Sequence, residues 1–188
     1  MERKFHLNSP LNAEAARSLS AGQEVLISGP AFTARDAAHL RIARLLEQGA
    51  NPPFDLNGAL IIYAGASPAP PGRIIGSIGP TTSSRMDAFT PALLEAGLAG
   101  MIGKGPRSQA VNQAIARHQA VYFGAVGGLG ALLSLRIKNA ELVAFEELGP
   151  EAVYRLELDG FPVRVLTDSR GNDFLSSLGI RDRMAQIP

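Results

Sequence analysis

Gly79-Pro80-Thr81-Thr82-Ser83-Ser84-Arg85-Met86-Asp87 closes an apolar run, Arg73 to Ile78, and precedes a helix start at Thr90-Pro91. A second apolar run, Gly100-Met101-Ile102, ends on Gly103-Lys104-Gly105. Apolar run, glycine-bearing loop, helix start and apolar run again is the order of a β/α layer, since parallel strands need a helical crossover between them. This reading puts two adjacent threonines, an arginine and a lysine at the ends of two strands of one α/β layer. Ligands bind at such strand ends, and a cationic, hydroxyl-bearing pocket there suits a small carboxylate.

The alternation extends in both directions. Lys4 to Leu11 reads as a strand, and Asn12 caps a short helix to Leu19. Glu24 to Ser28 reads as a buried strand closed by Gly29-Pro30. Thr33, with Asp36 three residues on, forms a box-like cap for the next helix. That helix carries an apolar stripe of Ala38, Ile42, Leu45 and Leu46 opposite Arg41, Arg44 and Gln48, and Gly49 ends it. Ala59 to Tyr63 and Ala120 to Gly124 read as strands, and Ser108 to His118 and Leu129 to Ile137 as helices. Thr90 is the expected cap of a helix with Pro91 at its first position, ending at Gly97.

The last third is β-rich. Leu142 to Phe145, Val153 to Leu158 and Pro162 to Leu166 read as strands, and Asp159-Gly160 as a hairpin turn between the latter two. The expected class is α/β, with an alternating β/α middle and a β-rich C-terminal third. One domain is expected over residues 1–180, followed by a loose tail at 181–188. No internal repeat is present.

The 188 residues suffice for a substantial core. Net charge is +1 with no cationic run, which argues against a nucleic-acid partner. The chain contains no cysteine, which excludes disulfides, thiolate zinc and iron–sulfur ligation by its own residues and fits a cytoplasmic protein. The charged start Met1-Glu2-Arg3-Lys4 lacks the apolar segment of a signal peptide, and no apolar run is long enough to span a bilayer.

Two common nucleotide signatures are absent. The glycines at 124, 127, 128 and 130 do not fall at GxGxxG spacing, and Gly103-Lys104 lacks the flanking residues of a P-loop. His6, His39 and His118 have no metal-ligand spacing, and each alone reads as a surface or packing residue. Arg35, Arg85 and Lys104 would each pass singly for a solvated charge. Together at strand ends they read as a clamp for a dicarboxylate, two guanidinium forks and one ammonium. Thr81-Thr82 is open to a plain reading as a turn with capping hydroxyls. Asp36 and Asp87 read as residues that orient Arg35 and Arg85 or cap helices. Asp168 to Asp173 reads as a structural turn braced by Asn172 or Asp173.

Five stretches taken together carry a family resemblance: Thr33 to His39, Gly79 to Asp87, Met101 to Pro106, Glu147 to Ala152 and Asp168 to Asp173. In that order the chain resembles the β subunit, or C-terminal domain, of class I iron–sulfur hydro-lyases, namely fumarate hydratase and L(+)-tartrate dehydratase. The likeness runs from about Leu7 to Leu175, and the threonine motif is its most specific part. Ser84 departs from the family pattern, where glycine is expected. The resemblance implies a three-layer swivelling β/β/α fold. It also implies a partner α subunit, in a hetero-oligomer, whose three cysteines hold a [4Fe–4S] cluster. It further implies that Arg35, Arg85 and Lys104 bind substrate carboxylates. Thr81, with Thr82 beside it, would transfer the proton at carbon, and Asp36, His39, Asp87, Asn172 and Asp173 would support the site. The implied reaction is addition or removal of water across the C=C of a small dicarboxylate. The alternative is a non-catalytic swivelling domain that binds a small carboxylate anion.

Overall fold

The computed structural model describes residues 5–180, so the tail expected at 181–188 lies outside the described residues. Its first half alternates strand and helix: β1 Phe5–Asn8, α1 Ala13–Ser18, β2 Glu24–Thr33, α2 Asp36–Glu47 and β3 Leu60–Ile62. A 3-10 turn, Ser83–Met86, then leads to α3 Thr90–Glu95, β4 Gly100–Gly103, α4 Gln109–His118, β5 Val121–Gly124 and α5 Gly130–Ser134. Finally come β6 Ile137–Ala144, a second 3-10 turn Glu146–Glu151, β7 Val153–Thr167 and α6 Phe174–Ser177.

The strands follow the order β1-β2-β3-β4-β5-β7-β6, and β2 also pairs with β7. That extra pairing turns the sheet into a closed ring of β2, β3, β4, β5 and β7. The pairs β1–β2, β2–β3, β3–β4 and β4–β5 are parallel, and β7 runs antiparallel to β2, β5 and β6. The mixed α/β class is what the alternating middle and β-rich last third imply; the closure of the sheet into a ring is a feature the sequence reading did not include.

The period-two alternation of side chains separates two cores. Leu60 and Ile62 of β3, Ile102 of β4, and Val121 and Phe123 of β5 join the cluster with Val25, Ile27, Leu156, Phe161 and Val165. Ile61, Met101 and Tyr122, one residue out of phase, join the cluster with Ala38 and Ile42 of α2, Leu93 and Leu94 of α3, and Val111 and Ile115 of α4. The parallel strands β3, β4 and β5 are thus buried on both faces, which explains their continuous apolar runs.

Five sequence expectations are corrected. β2 does not stop at Gly29-Pro30 but runs on to Thr33. Asp159-Gly160 is no hairpin turn: β7 is one strand of 15 residues. Its register against β2 steps from Ile27↔Phe161 to Gly29↔Leu158, so Asp159 and Gly160 together face Ser28. That is a β-bulge. Gly160 takes φ 61°, which favours glycine, and its N–H donates to Ser28 Oγ at 3.0 Å. The segment from Arg73 to Ile78 is not a strand, and its only ladder contact is the isolated bridge Ala66↔Ile78. The helix expected over Leu129 to Ile137 is the five-residue α5, and Ile137 instead opens β6.

Thr33 is the fifth. It caps nothing. As the last residue of β2, it donates through Oγ1 to Ala152 O at 3.1 Å and accepts from Tyr154 N at 2.9 Å, stapling the end of β2 to the start of β7. The N-cap of α2 is Arg35, which makes no side-chain cap bond. A remote carboxylate does the work: Glu151 Oε2 accepts from Ala37 N at 3.0 Å. Asn12 caps α1 as the sequence suggests, and Ser108, read there as the first residue of a helix, caps α4 instead.

Candidate active site

The C-terminal ends of the parallel strands lie together, and the chain leaves them through loops rich in glycine. Arg35 follows β2, Tyr63 follows β3, Lys104 follows β4, and the glycines at 127 and 128 follow β5. The threonine stretch enters this end as a short extra rung. Thr81 N donates to Tyr63 O at 2.7 Å, and Ser83 N to Lys104 O at 2.9 Å. Thr82 and Lys104 form an isolated parallel bridge. The two motifs read first in the sequence are therefore neighbours along one ladder. Lys104 is exposed, and its chain passes the Gly127 backbone: a Cβ there would lie 3.6 Å from Lys104 Cδ and 3.8 Å from Nζ.

Arg85 sits in the last turn of the Ser83–Met86 segment, with its side chain 48% exposed. Its Nη1 donates to Thr81 Oγ1 at 3.3 Å, and its Nε pairs with Asp36 Oδ1 at 2.7 Å. The other oxygen of Asp36 takes Arg35 Nε at 3.4 Å, and Arg35 Nη2 is also 3.4 Å from Glu151 Oε1. Asp36 thus holds both guanidiniums. Burial pulls its carboxyl upward, but its own backbone N–H and the Arg85 and Arg35 charges outweigh that and keep it below the ordinary value.

His39, one turn along α2, is fully buried. Its Nδ1 lies 3.0 Å from Arg35 O, and its ring meets Tyr63 edge-on with centroids 5.1 Å apart. Nε2 is buried without a hydrogen-bond partner. Burial, with the Arg107 charge adding to it, drives its pKa down to about 4. At neutral pH the ring is uncharged, so Nδ1 carries the hydrogen toward the carbonyl.

Asp87 faces away from Arg85. Its carboxylate binds Arg107 Nε at 2.7 Å through one oxygen and Ser108 N at 2.7 Å through the other. Arg107 is 2% exposed and lies under the site. Sequence reading missed it, because a lone arginine after Gly105-Pro106 has no distinguishing spacing. It also missed Glu151, although the stretch Glu147 to Ala152 had been singled out.

Asn172 and Asp173 lie elsewhere. β7 runs antiparallel to β5 and pairs Thr167 with Tyr122, so the turn after Thr167 falls at the opposite, N-terminal end of the parallel strands. There Asn172 binds Asp168, and Asp173 caps α6 and accepts from Asn112 Nδ2 at 3.1 Å. They brace that turn, away from Thr81, Arg85 and Lys104.

One end of the sheet therefore gathers Thr81, Thr82, Arg35, Arg85 and Lys104, with Asp36 and His39 behind them. Among the described residues no group of three or more His, Asp or Glu could hold a metal ion. The set brings three cations and two hydroxyls to one end of the sheet.

The family model described as Fumarase C-terminus matches residues 1–178. The chain belongs to the fumarase C-terminus family. It is 36% identical over 179 residues to the protein named "Fumarate hydratase class I, anaerobic" of Escherichia coli, covering 93% of this chain and 33% of that relative. To "Fumarate hydratase 2" of Leishmania major it is 37% identical over 157 residues, covering 82% of this chain and 28% of the relative. To "Putative L(+)-tartrate dehydratase subunit beta" of Methanocaldococcus jannaschii it is 36% identical over 168 residues, covering 86% of each. The chain thus spans about a third of the fumarate hydratases and most of the separate β subunit.

Proposed function

We propose that this chain is the dicarboxylate-clamping β subunit, a swivelling β/β/α unit, of a hydro-lyase that adds water to the C=C of fumarate to give malate, or removes water from tartrate to give oxaloacetate. The single observation that carries the reading is the meeting of Thr81, Arg85 and Lys104 at one sheet end, with Arg85 Nη1 3.3 Å from Thr81 Oγ1. The family and the match over 86% of a protein named as a β subunit support it.

The residues of this chain divide the chemistry as follows. Arg35, Arg85 and Lys104 bind the two carboxylates, the guanidiniums by bidentate pairing and the ammonium as a point charge. Removing the proton beside a carboxylate builds negative charge on that carboxylate, and cations already in place stabilise it without reorganisation. Thr81 is the group that moves the proton. Arg85 donates to its oxygen and so favours the deprotonated hydroxyl, which an isolated threonine would not reach near neutral pH. Asp36 keeps both arginines aimed without neutralising the whole clamp.

With no cysteine, this chain does not fit a [4Fe–4S] cluster, and the resemblance assigns that group to an α subunit. A partner is also favoured by exposed Val126, Leu129, Leu132 and Leu135, an apolar segment that leaves β5 beside Lys104.

The test is anaerobic co-expression with a cysteine-bearing α subunit, followed by assays on fumarate, malate and tartrate. The pair should be active, and the purified single chain should have no turnover. Enzyme-like turnover by the single chain would overturn the half-site reading. A pair that binds these acids without turnover would leave a carboxylate-binding module.

A further inference from the structure

Ser83 is fully buried, although Thr82 and Ser84 on either side of it are exposed. Its Oγ accepts from Lys104 N at 3.0 Å and lies 2.8 Å from the Tyr122 hydroxyl, which reaches Gly105 O at 2.7 Å. Each hydroxyl has one proton to give. All three contacts are satisfied if Ser83 donates to Tyr122, Tyr122 donates to the Gly105 carbonyl, and Ser83 accepts from the Lys104 amide. A side chain of the threonine stretch thereby grips the backbone on both sides of Lys104.

The grip is keyed by shape as well. A Cβ at Gly103 would overlap Ser83 Oγ and come within 2.9 Å of Tyr63 Cδ2, so the strand delivering Lys104 must be bare at that point. Arg107 forms the floor. Its guanidinium lies 5.1 Å from the centre of the Tyr122 ring and 5.2 Å from that of Tyr63. The same group bonds Asp87 Oδ1 at 2.7 Å, Thr90 Oγ1 at 2.6 Å and the Tyr63 hydroxyl at 3.1 Å. These partners end the threonine stretch, start α3 and follow β3.

We infer that the Ser83–Tyr122 hydroxyl pair, seated on Arg107, is the positioning device that fixes the Thr81 hydroxyl relative to the Lys104 ammonium. None of the three is offered as a group that touches substrate. Without the Ser83 hydroxyl, the Lys104 amide keeps only its 3.3 Å contact to Thr81 O. A displacement of about 1 Å at reacting groups can cost on the order of a hundredfold in rate.

The kinetic consequence rests on the hydro-lyase reading, so the experiment has a part that does not. In the complex with the α subunit, Ser83→Ala, Tyr122→Phe and the double variant are compared with Leu19→Val. Leu19 is buried beside α1, near the Asp168 turn at the other end of the sheet, and its variant serves as a control for lost stability. Ser83→Ala should lower kcat by about ten- to a hundredfold while KM stays within about threefold. Adding Tyr122→Phe should cost little more, because the two hydroxyls act as one unit. Exchange of the Lys104 amide with solvent should quicken at least about tenfold in both single variants and not in Leu19→Val. The inference is overturned if kcat falls no further than in the control, if only KM changes, or if the Lys104 amide exchanges as in wild type. Should the wild-type complex show no hydro-lyase activity, the functional reading fails, and the exchange rates alone decide the positioning claim.

Discussion

Arg85 does three things with one side chain: it meets Asp36, supports Thr81 and presents charge to the open end of the sheet. Arg85→Lys keeps the charge but cannot reproduce the fork. In the reconstituted complex kcat/KM should fall at least about tenfold, equivalent to roughly 1.4 kcal/mol, and unchanged kinetics would remove Arg85 from the site. Thr81→Val is nearly isosteric yet cannot carry a proton. It should leave substrate affinity within a few-fold and lower kcat by about 10²–10⁴, with exchange of the substrate C–H proton lost. Thr82→Val should retain that exchange. If the outcomes are reversed, the two threonines exchange roles; if both variants retain it, the base belongs to the partner. His39 gives a prediction in stability. Its folded pKa of about 4 lies below its ordinary value, so the unfolded chain binds a proton between about pH 6.5 and 4 that the folded chain refuses. Stability should therefore fall through that window on acidification by roughly 3 kcal/mol from this residue, with no contribution above it. Urea midpoints at pH 7 and 4.5 should differ less in His39→Phe than in wild type.

At the scale of elements, α2 is the part most dependent on distant help. Its first turn takes a cap from Glu151, which also holds Arg35, so stability and clamp geometry share one carboxylate. Glu151→Ala should lower folding stability by about 1 kcal/mol, the usual worth of a helix cap, and raise KM for the dicarboxylate. Glu151→Gln keeps an acceptor for Ala37 and should recover most of the stability but not the KM. Equal stability of both variants with wild type, by thermal unfolding, would show that the cap contributes nothing. This shared residue also marks where sequence reading stopped. Strand and helix order was legible because apolar periodicity is local, and Asn12 was legible because its cap is local too. Thr33 was misread because a capping box and a strand-end hydroxyl look alike until β7 arrives beside it. Asp159-Gly160 was misread for a related reason: the same dipeptide serves a hairpin or a bulge, and only pairing with Ser28 distinguishes them. Arg107 was invisible because its partners Tyr63, Asp87 and Thr90 are 44, 20 and 17 positions away.

For the whole molecule, the ends of the two strands β2 and β7 decide the shape, and they come from opposite ends of the chain. Arg164 reaches Gly22 across 142 positions. The ring cannot close until β7 is present, and the bulge at Gly160 must form before both halves of β7 can hold register against β2 together. Loop-closure entropy is therefore met late and in one step, which places this chain among slow folders with high contact order. During synthesis the apolar inner faces of β2, β3, β4 and β5 stand open until residue 167 has left the ribosome. Over that interval the nascent chain exposes unpaired strand edges and has the greatest need of a chaperone.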